Sequence, residues 1–209
     1  VYEPGAPWGA SVGEATFYNI DGEGFPCMWA RIAFPDDFDV DSISSNVCFV
    51  GLWSPNGYGD DEYYGDAYKV QLKSSTSRAT DLDVRGEISH FTPSGTNIWS
   101  IQVAGDAEEA TILVGTSWLS SETEPYHYLV YISDDSGDTW EEATKQRSGG
   151  TDEDGEDNFM FAMTQVLMTP DFLTDGVVYA KTWGDETSAF QRSEDSGDTW
   201  NQIGLIDYP

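Results

Sequence analysis

The sequence is poor in positive charge. Nine Lys+Arg stand against 38 Asp+Glu, a formal net charge of -29 over 209 residues. Phosphate backbones are gripped by Lys and Arg that displace counterions, so nucleic acids and anionic membrane surfaces are poor partners for this chain. Histidine is nearly missing: His90 and His127 lie far apart and fit no ligand spacing. The two cysteines, Cys27 and Cys48, form no CxxC pair, which argues against a cysteine zinc site. No apolar run is long enough to cross a bilayer, so membrane insertion is not expected. No basic stretch leads into an apolar one, as a signal peptide requires. Nucleophile elbow, P-loop and dinucleotide fingerprints are all lacking. No segment sustains a helical apolar period with caps, and residues 107–110 offer one helical turn at most.

What is present argues for a folded β protein. Aromatic residues make up 14% of the chain, whereas disordered acidic tails are poor in them. The acidity keeps a surface soluble and attracts divalent cations; it fits a salt-loving host and cation binding at a cell surface equally. Cys27 and Cys48 could pair in an oxidising compartment. Cys48 also sits in the apolar run Val47-Cys48-Phe49-Val50, where a buried free thiol is equally ordinary. The chain begins at Val1 rather than Met, and the expectation is an exported, processed excerpt of a longer protein.

The chain repeats itself. Residues 133–140 read Ser-Asp-Asp-Ser-Gly-Asp-Thr-Trp, and residues 193–200 read Ser-Glu-Asp-Ser-Gly-Asp-Thr-Trp. Upstream of each copy stand an apolar strand, an Asp turn and two further strands. These are Ile98–Val103, Asp106, Thr111–Gly115 and Tyr128–Ile132 in one copy. In the other they are Thr164–Met168, Asp171, Val177–Ala180 and Ala189–Arg192. A short fourth strand starts at Trp140 and at Trp200. A degenerate copy comes earlier, with strands Trp29–Phe34, Asn46–Gly51 and Ala67–Leu72 and the turn Pro35-Asp36. At its motif position, residues 74–80 have lost the Asp, the Gly and the Trp. Four short strands per unit at this period are the mark of propeller blades. The expected fold is all-β, a β-propeller of about three four-stranded blades. Residues 1–26 form an extension or a neighbouring blade's strand (Ala15–Ile20 is a candidate), followed by blades at 27–86, 87–147 and 148–209.

The motif's residue types have local reasons. Asp135 and Asp195 accept backbone N–H bonds within a tight turn. Gly137 and Gly197 supply positive φ. Ser133, Thr139, Ser193 and Thr199 add hydroxyl bonds, and Trp140 and Trp200 bury a ring whose N–H needs an acceptor. These residues resemble the Asp-box of sialidase-type propellers, a motif shared by sortilin-type receptors, xyloglucan-cleaving hydrolases and bacterial surface proteins. The resemblance covers about Trp29 to Ile203. It implies that the hairpins lie on the blade periphery, away from any central active site, and fold does not fix function. Three blades are too few to close a propeller. The rest of it lies outside the excerpt, or other subunits cover the open edges.

Candidate sites remain sparse. In the loop 151–158, Asp152, Asp154 and Asp157 alternate around Gly155 as a Ca²⁺ site would, though EF-hand spacing is lacking. The runs 36–41 and 60–62 invite the same thought, as do Asp134, Asp135 and Asp138; a solvated loop or a self-bonded hairpin is the plainer reading. Trp53–Tyr58, Tyr63-Tyr64, Trp118 and Tyr126–Tyr128 could stack sugars or contact proteins, or simply order long loops. A sialidase needs clustered arginines, and Arg31-Ile32-Ala33 is only a partial echo of that family's Arg-Ile-Pro. The expected function is a non-catalytic, extracellular structural or recognition module of a cell-surface layer, sheath or filament. Its expected partners are copies of itself, other surface proteins or carbohydrate. The alternative is a fragment of a sialidase- or xyloglucanase-like glycoside hydrolase.

Overall fold

The computed structural model describes residues 29–42, 44–53, 65–72, 79–84, 97–118, 130–143, 162–183 and 187–207. The chain is all-β. Unit 1 contains β1 (Trp29–Ala33), β2 (Val47–Trp53), β3 (Ala67–Gln71) and β4 (Ala79–Asp81). Unit 2 contains β5 (Asn97–Ala104), β6 (Thr111–Trp118), β7 (Val130–Ser133) and β8 (Glu141–Glu142). Unit 3 contains β9 (Ala162–Met168), β10 (Val178–Trp183), β11 (Thr187–Ser193) and β12 (Asn201–Asp207), with the single-turn helix α1 (Phe172–Asp175) between β9 and β10. Within each unit, strands adjacent in sequence pair antiparallel, so each unit is a four-stranded meander. No closed ring of sheets is formed among the described residues.

The units stack face to face because their strands are apolar on both sides. Along β6, Ile112 and Val114 point one way and Leu113 the other, as the two-residue period of a strand dictates. Ile112 and Val114 join Ile98, Ile101 and Trp140 in a core with Val47, Phe49 and Leu82 of unit 1. Leu113, Val130 and Ala143 form a second core with Val166, Met168, Phe172, Val178 and Trp200 of unit 3. A third cluster, Cys48, Val50, Leu52, Tyr68 and Val70, lies on the opposite face of unit 1.

Two glycines permit this closeness. A Cβ on Gly51 would stand 2.4 Å from Ile98 Cγ2, and one on Gly115 would stand 2.2 Å from the Thr164 carbonyl oxygen. The registers make them equivalent: Gly51 pairs with Arg31 and Ala67, Gly115 with Ser100 and Val130. At each unit boundary, the second strand has a glycine where the next unit's first strand crosses.

Several details differ from the sequence reading. Residues 107–110 keep within the limit of one turn: Glu109 N–H donates to the Asp106 carbonyl at 3.0 Å and closes a single β-turn. A helical turn occurs instead at Phe172–Asp175 and ends on Gly176 at φ 63°. Unit 1 has a fourth strand at Ala79–Asp81, overlapping the end of the degenerate motif position at 74–80. Units 2 and 3 are not wholly separate sheets. β6 outlasts β7, and its end pairs with the start of β9 at Ser117–Met163 and Trp118–Ala162. No helix among the described residues is long and apolar enough to cross a membrane.

Candidate functional site

The two hairpins of the repeated motif are nearly superposable in their bonding. Ser133 Oγ donates to Asp135 Oδ1 at 2.8 Å and accepts from Gly137 N–H at 2.7 Å. Asp135 then accepts from Thr139 N–H at 2.8 Å and from the Thr139 hydroxyl at 2.6 Å. In the second copy, Ser193 Oγ donates to Asp195 at 2.6 Å and accepts from Gly197 N–H at 2.9 Å. Asp195 accepts from Thr199 N–H at 2.9 Å and from the Thr199 hydroxyl. Partial burial alone would raise both carboxyls. The hydrogen bonds from Ser133 and Thr139, and from Ser193 and Thr199, outweigh it and hold them below the ordinary aspartate range.

The turn itself needs two positive-φ residues. Ser136 and Gly137 have φ of 63° and 95°, and Ser196 and Gly197 have 61° and 101°, as in a type I′ hairpin turn. Residue type points to positive φ at the glycines alone. The serines bear it because both their backbones are anchored. Ser136 N–H donates to the Ala110 carbonyl at 3.0 Å, its Oγ accepts from Ala110 N–H at 2.8 Å, and Ser196 N–H donates to the Gly176 carbonyl at 2.9 Å.

The hairpins also fasten one unit to the next. A Cβ on Gly137 would stand 2.8 Å from Leu82 of unit 1, and one on Gly197 would stand 3.0 Å from Leu113 of unit 2. Trp140 Nε1 donates across the boundary to the Leu82 carbonyl at 2.9 Å. Trp200 Nε1 bonds within its own turn, to the Gly197 carbonyl at 2.7 Å. Other polar clamps at the first boundary are Asp36 to Gly105 N–H (2.8 Å), Asp37 to Ala107 N–H (2.9 Å) and Asn97 to Gly65 N–H (2.8 Å). At the second boundary, Ser100 Oγ donates to the Thr164 carbonyl at 3.0 Å and accepts from Val166 N–H at 2.9 Å. Asp36, Asp37 and Asp135, three of the acids weighed as cation ligands, are thus engaged with the protein's own donors. Among the described residues no group of three or more His, Cys, Asp or Glu could hold a metal. Asp152, Asp154 and Asp157 lie outside the described residues, as do Asp60–Glu62 and most of the aromatic loop residues.

A groove of about 580 Å³ opens beside the first strands of the units. Arg31 of unit 1, Trp99 of unit 2 and Gln165, Leu167, Tyr179, Lys181 and Phe190 of unit 3 line it. The register of β5 shifts between Ile98 and Ser100, and such a bulge re-aims the residue within it; here that residue is Trp99. Trp29 stacks on Trp53 at 5.2 Å and meets Trp99 edge-on at 4.9 Å, and the Arg31 guanidinium lies 5.4 Å over the Trp99 ring. Two cations and several aromatic faces suit an acidic or sugar-like ligand. The described residues that line the groove include no carboxylate.

Two buried features carry shifted acids. Asp66, at the start of β3, is buried and raised well above the usual carboxylate value, first by burial and then by the charge of Asp81. Its bonds from Ala67 N–H (2.8 Å) and Val84 N–H (3.1 Å) pull the other way. Burial, with the charge of Asp83, pushes Asp81 up to about 6. Nothing in the sequence marks this pair beyond the acid spacing Asp81-Leu82-Asp83 at the end of β4. Cys48 is a free, buried thiol pushed up to about 11 by burial. Cys27, and with it the proposed disulfide, lies outside the described residues.

No protein-family model matches the chain, and a search of curated proteins finds no relative.

Proposed function

We propose that the three units are consecutive blades of an Asp-box β-propeller, and that the chain is a non-catalytic extracellular module of a cell-surface layer, sheath or filament. The observation that carries this reading is the groove at the first strands. A glycoside hydrolase needs two carboxylates flanking the scissile bond. The described lining offers Arg31 and Lys181 instead, with aromatic faces beside them. The carboxylates of the repeated hairpins are committed to their own Ser, Thr and backbone donors. They serve as structural fasteners, and a fastened stack of like units is what an assembly or recognition module requires. Carbohydrate and other surface proteins are the proposed ligands, and Ca²⁺ at Asp152, Asp154 and Asp157 remains a proposal for the acidic loop.

The test uses the protein isolated from native material. It is offered a panel of sialosides, xyloglucan and other glycans, and the native particles are imaged. The expected result is no turnover and a lattice or filament in which copies of this module contact one another. Turnover that disappears when one acid is changed to its amide would replace this reading with the hydrolase.

A further inference from the structure

The boundary between units 1 and 2 is built around a buried carboxylate. Asp66 stands at the start of β3 and is 3% exposed. Its Oδ1 accepts from Ala67 N–H at 2.8 Å and from Val84 N–H at 3.1 Å. One oxygen thus ties the start of β3 to the strap, residues 82–84, that follows β4. The repeated unit does not itself require an acid there. Gly51, Gly115 and Lys181 share one register place, opposite Ala67, Val130 and Phe190. The residue before each of those partners is Asp66 in unit 1, Leu129 in unit 2 and Ala189 in unit 3. The other two units fill this place with apolar residues.

The segments on either side of Asp66 both reach into unit 2. Gly65 N–H donates to Asn97 Oδ1, at the start of β5, at 2.8 Å. The strap is gripped from two directions. Within unit 1, Leu82 N–H donates to the Ala67 carbonyl at 3.0 Å and Val84 N–H donates to Asp66. From unit 2, Trp140 Nε1 donates to the Leu82 carbonyl at 2.9 Å, and Gly137 packs against the Leu82 side chain. Leu82 and Val84 belong to the core shared by the two units. Between them Asp83 has φ 45°, a left-handed conformation that costs a non-glycine residue and persists only where its neighbours are anchored. Asp83 N–H donates to Asp81 Oδ1 at 3.1 Å. The charges that act on Asp66 are those of Asp81 and Asp83, both of its own sign. On β3, Tyr68 donates to Asp81, and Lys69 places its ammonium on the Ala107 carbonyl at 2.8 Å and beside the Phe49 ring. The unit 2 side chains named here, Asn97 and Trp140, are neutral.

We infer that Asp66 is a proton-dependent latch on the boundary between units 1 and 2: protonated, it holds the strap beneath the unit 2 hairpin, and ionised, it lets the strap go. An ionised Asp66 is a charge in a dry site beside two further acids, and the one cation on its strand is engaged elsewhere. Hydration relieves that charge, and water reaches it when Val84 and Leu82 lift away. Leu82 takes with it the acceptor of Trp140. Burial and then the charge of Asp81 raise Asp66 well above the usual carboxylate range, and Asp81 is itself pushed up to about 6. The closed latch therefore holds its protons more tightly than the open one. Opening becomes easier as pH rises from the ordinary carboxylate range through these raised values. The second boundary has no such latch. Ala189 stands at the equivalent place with no proton to lose, and Trp200 bonds inside its own turn. Unit 1 loosens towards neutral pH while units 2 and 3 stay joined through the pairing of β6 with β9.

The experiment is hydrogen exchange at the tryptophan indoles of the 209-residue chain, read by heteronuclear NMR from about pH 5 to about pH 8 and corrected for intrinsic rates. Trp140→Phe and Trp200→Phe identify the two signals. Opening at Trp140 is expected to rise with pH. Opening at Trp200 is expected to stay level, because Asp195 is held below its ordinary value and is ionised throughout. In Asp66→Asn the pH slope at Trp140 is expected to be shallower by up to about tenfold per pH unit, the share of one proton. Asp81→Asn is the second variant, should Asp66→Asn not fold. It removes the charge beside Asp66, so the Trp140 profile is expected to level off at lower pH. Equal pH dependence at Trp140 and Trp200 overturns the latch, since the whole chain would then be opening at once. So does opening at Trp140 that ignores pH, a slope unchanged in Asp66→Asn, or a profile that Asp81→Asn leaves in place. Glycan turnover by the protein would bear on the proposed function and leave these outcomes as they stand.

Discussion

At the scale of single residues, the molecule divides its aspartates into two kinds with opposite responses to pH. Asp135 and Asp195 are held below their ordinary value by donors that fold around them. A lowered folded value means the native state prefers the ionised form. Their stabilisation is complete above about pH 4 and is lost as pH falls through the folded value. Asp135→Ala leaves Thr139 and Ser133 without their acceptor and is expected to cost about 1–2 kcal/mol in a urea melt at neutral pH. The difference from wild type should shrink towards pH 3. A cost that is constant with pH would mean that the carboxylate charge plays no part.

Asp66 and Asp81 behave in the reverse sense. Their raised values mean that the native state holds the proton more tightly than the unfolded chain. The stability they confer is present below the ordinary carboxylate range and declines as pH rises, for Asp81 through about 6. Asp66→Asn keeps an oxygen for the Ala67 and Val84 amides and removes the buried charge. The melting temperature of this variant is expected to rise at about pH 7.5 and to change little at pH 4. A drop at the higher pH would show that the ionised carboxylate is needed there. Hydrogen exchange should therefore find unit 1 better protected on the acid side and the repeated hairpins better protected at neutrality.

At the scale of elements, the glycines of the second strands decide how closely units stack. Gly115→Val would drive a side chain into the Thr164 carbonyl, which belongs to a strand backbone and cannot swing aside. The expected cost is at least about 3 kcal/mol, with lost protection at Val166 and Val178. Lys181, which pairs with Phe190 as Gly115 pairs with Val130, should tolerate Val within about 0.5 kcal/mol, as a surface site does. Equal costs at both positions would refute the equivalence of the units.

The two tryptophans of the hairpins make a similar paired test. Trp140→Phe removes a bond that spans units 1 and 2, while Trp200→Phe removes one inside a single turn. The first is expected to speed hydrogen exchange at Leu82 and Val84 in the neighbouring unit, and the second to act on its own hairpin. Both rings sit in boundary cores, so each change also loses about 1 kcal/mol of packing. That two motifs alike at all but one of eight positions differ in this bond shows the limit of motif reading. The acceptor for Trp140 comes from the neighbouring unit, whose own motif is degenerate.

At the scale of the whole molecule, much of the architecture was legible in advance. The strands of units 2 and 3 fall where alternating β-branched and aromatic runs ended in Asp, Gly and Pro turns, and the all-β class follows from them. Unit 1 was legible in three strands but not in its fourth, because Ala79-Thr80-Asp81 carries no apolar pattern and pairs only because β3 presents it an edge. Strand lengths were underestimated where pairing extends past the apolar run, as in β12, which continues to Asp207 through Gly204. The groove was not legible at all. Arg31, Trp99 and Lys181 come from three units and meet only after the stack has formed. The same holds for burial, which separates Ile32 from Ile101 although both are isoleucines on first strands.

The sequence by itself determined the local matters: strand runs, the hairpin turns and the repeat that relates them. These rest on interactions within a few residues, such as a Ser hydroxyl bonded four positions ahead or a glycine at positive φ. Only the tertiary structure decided which carboxylates are buried, which indole reaches across a boundary, and which apolar side chains are covered. Those depend on what packs opposite, and a strand's two-residue period states that it has two faces without stating what covers either one.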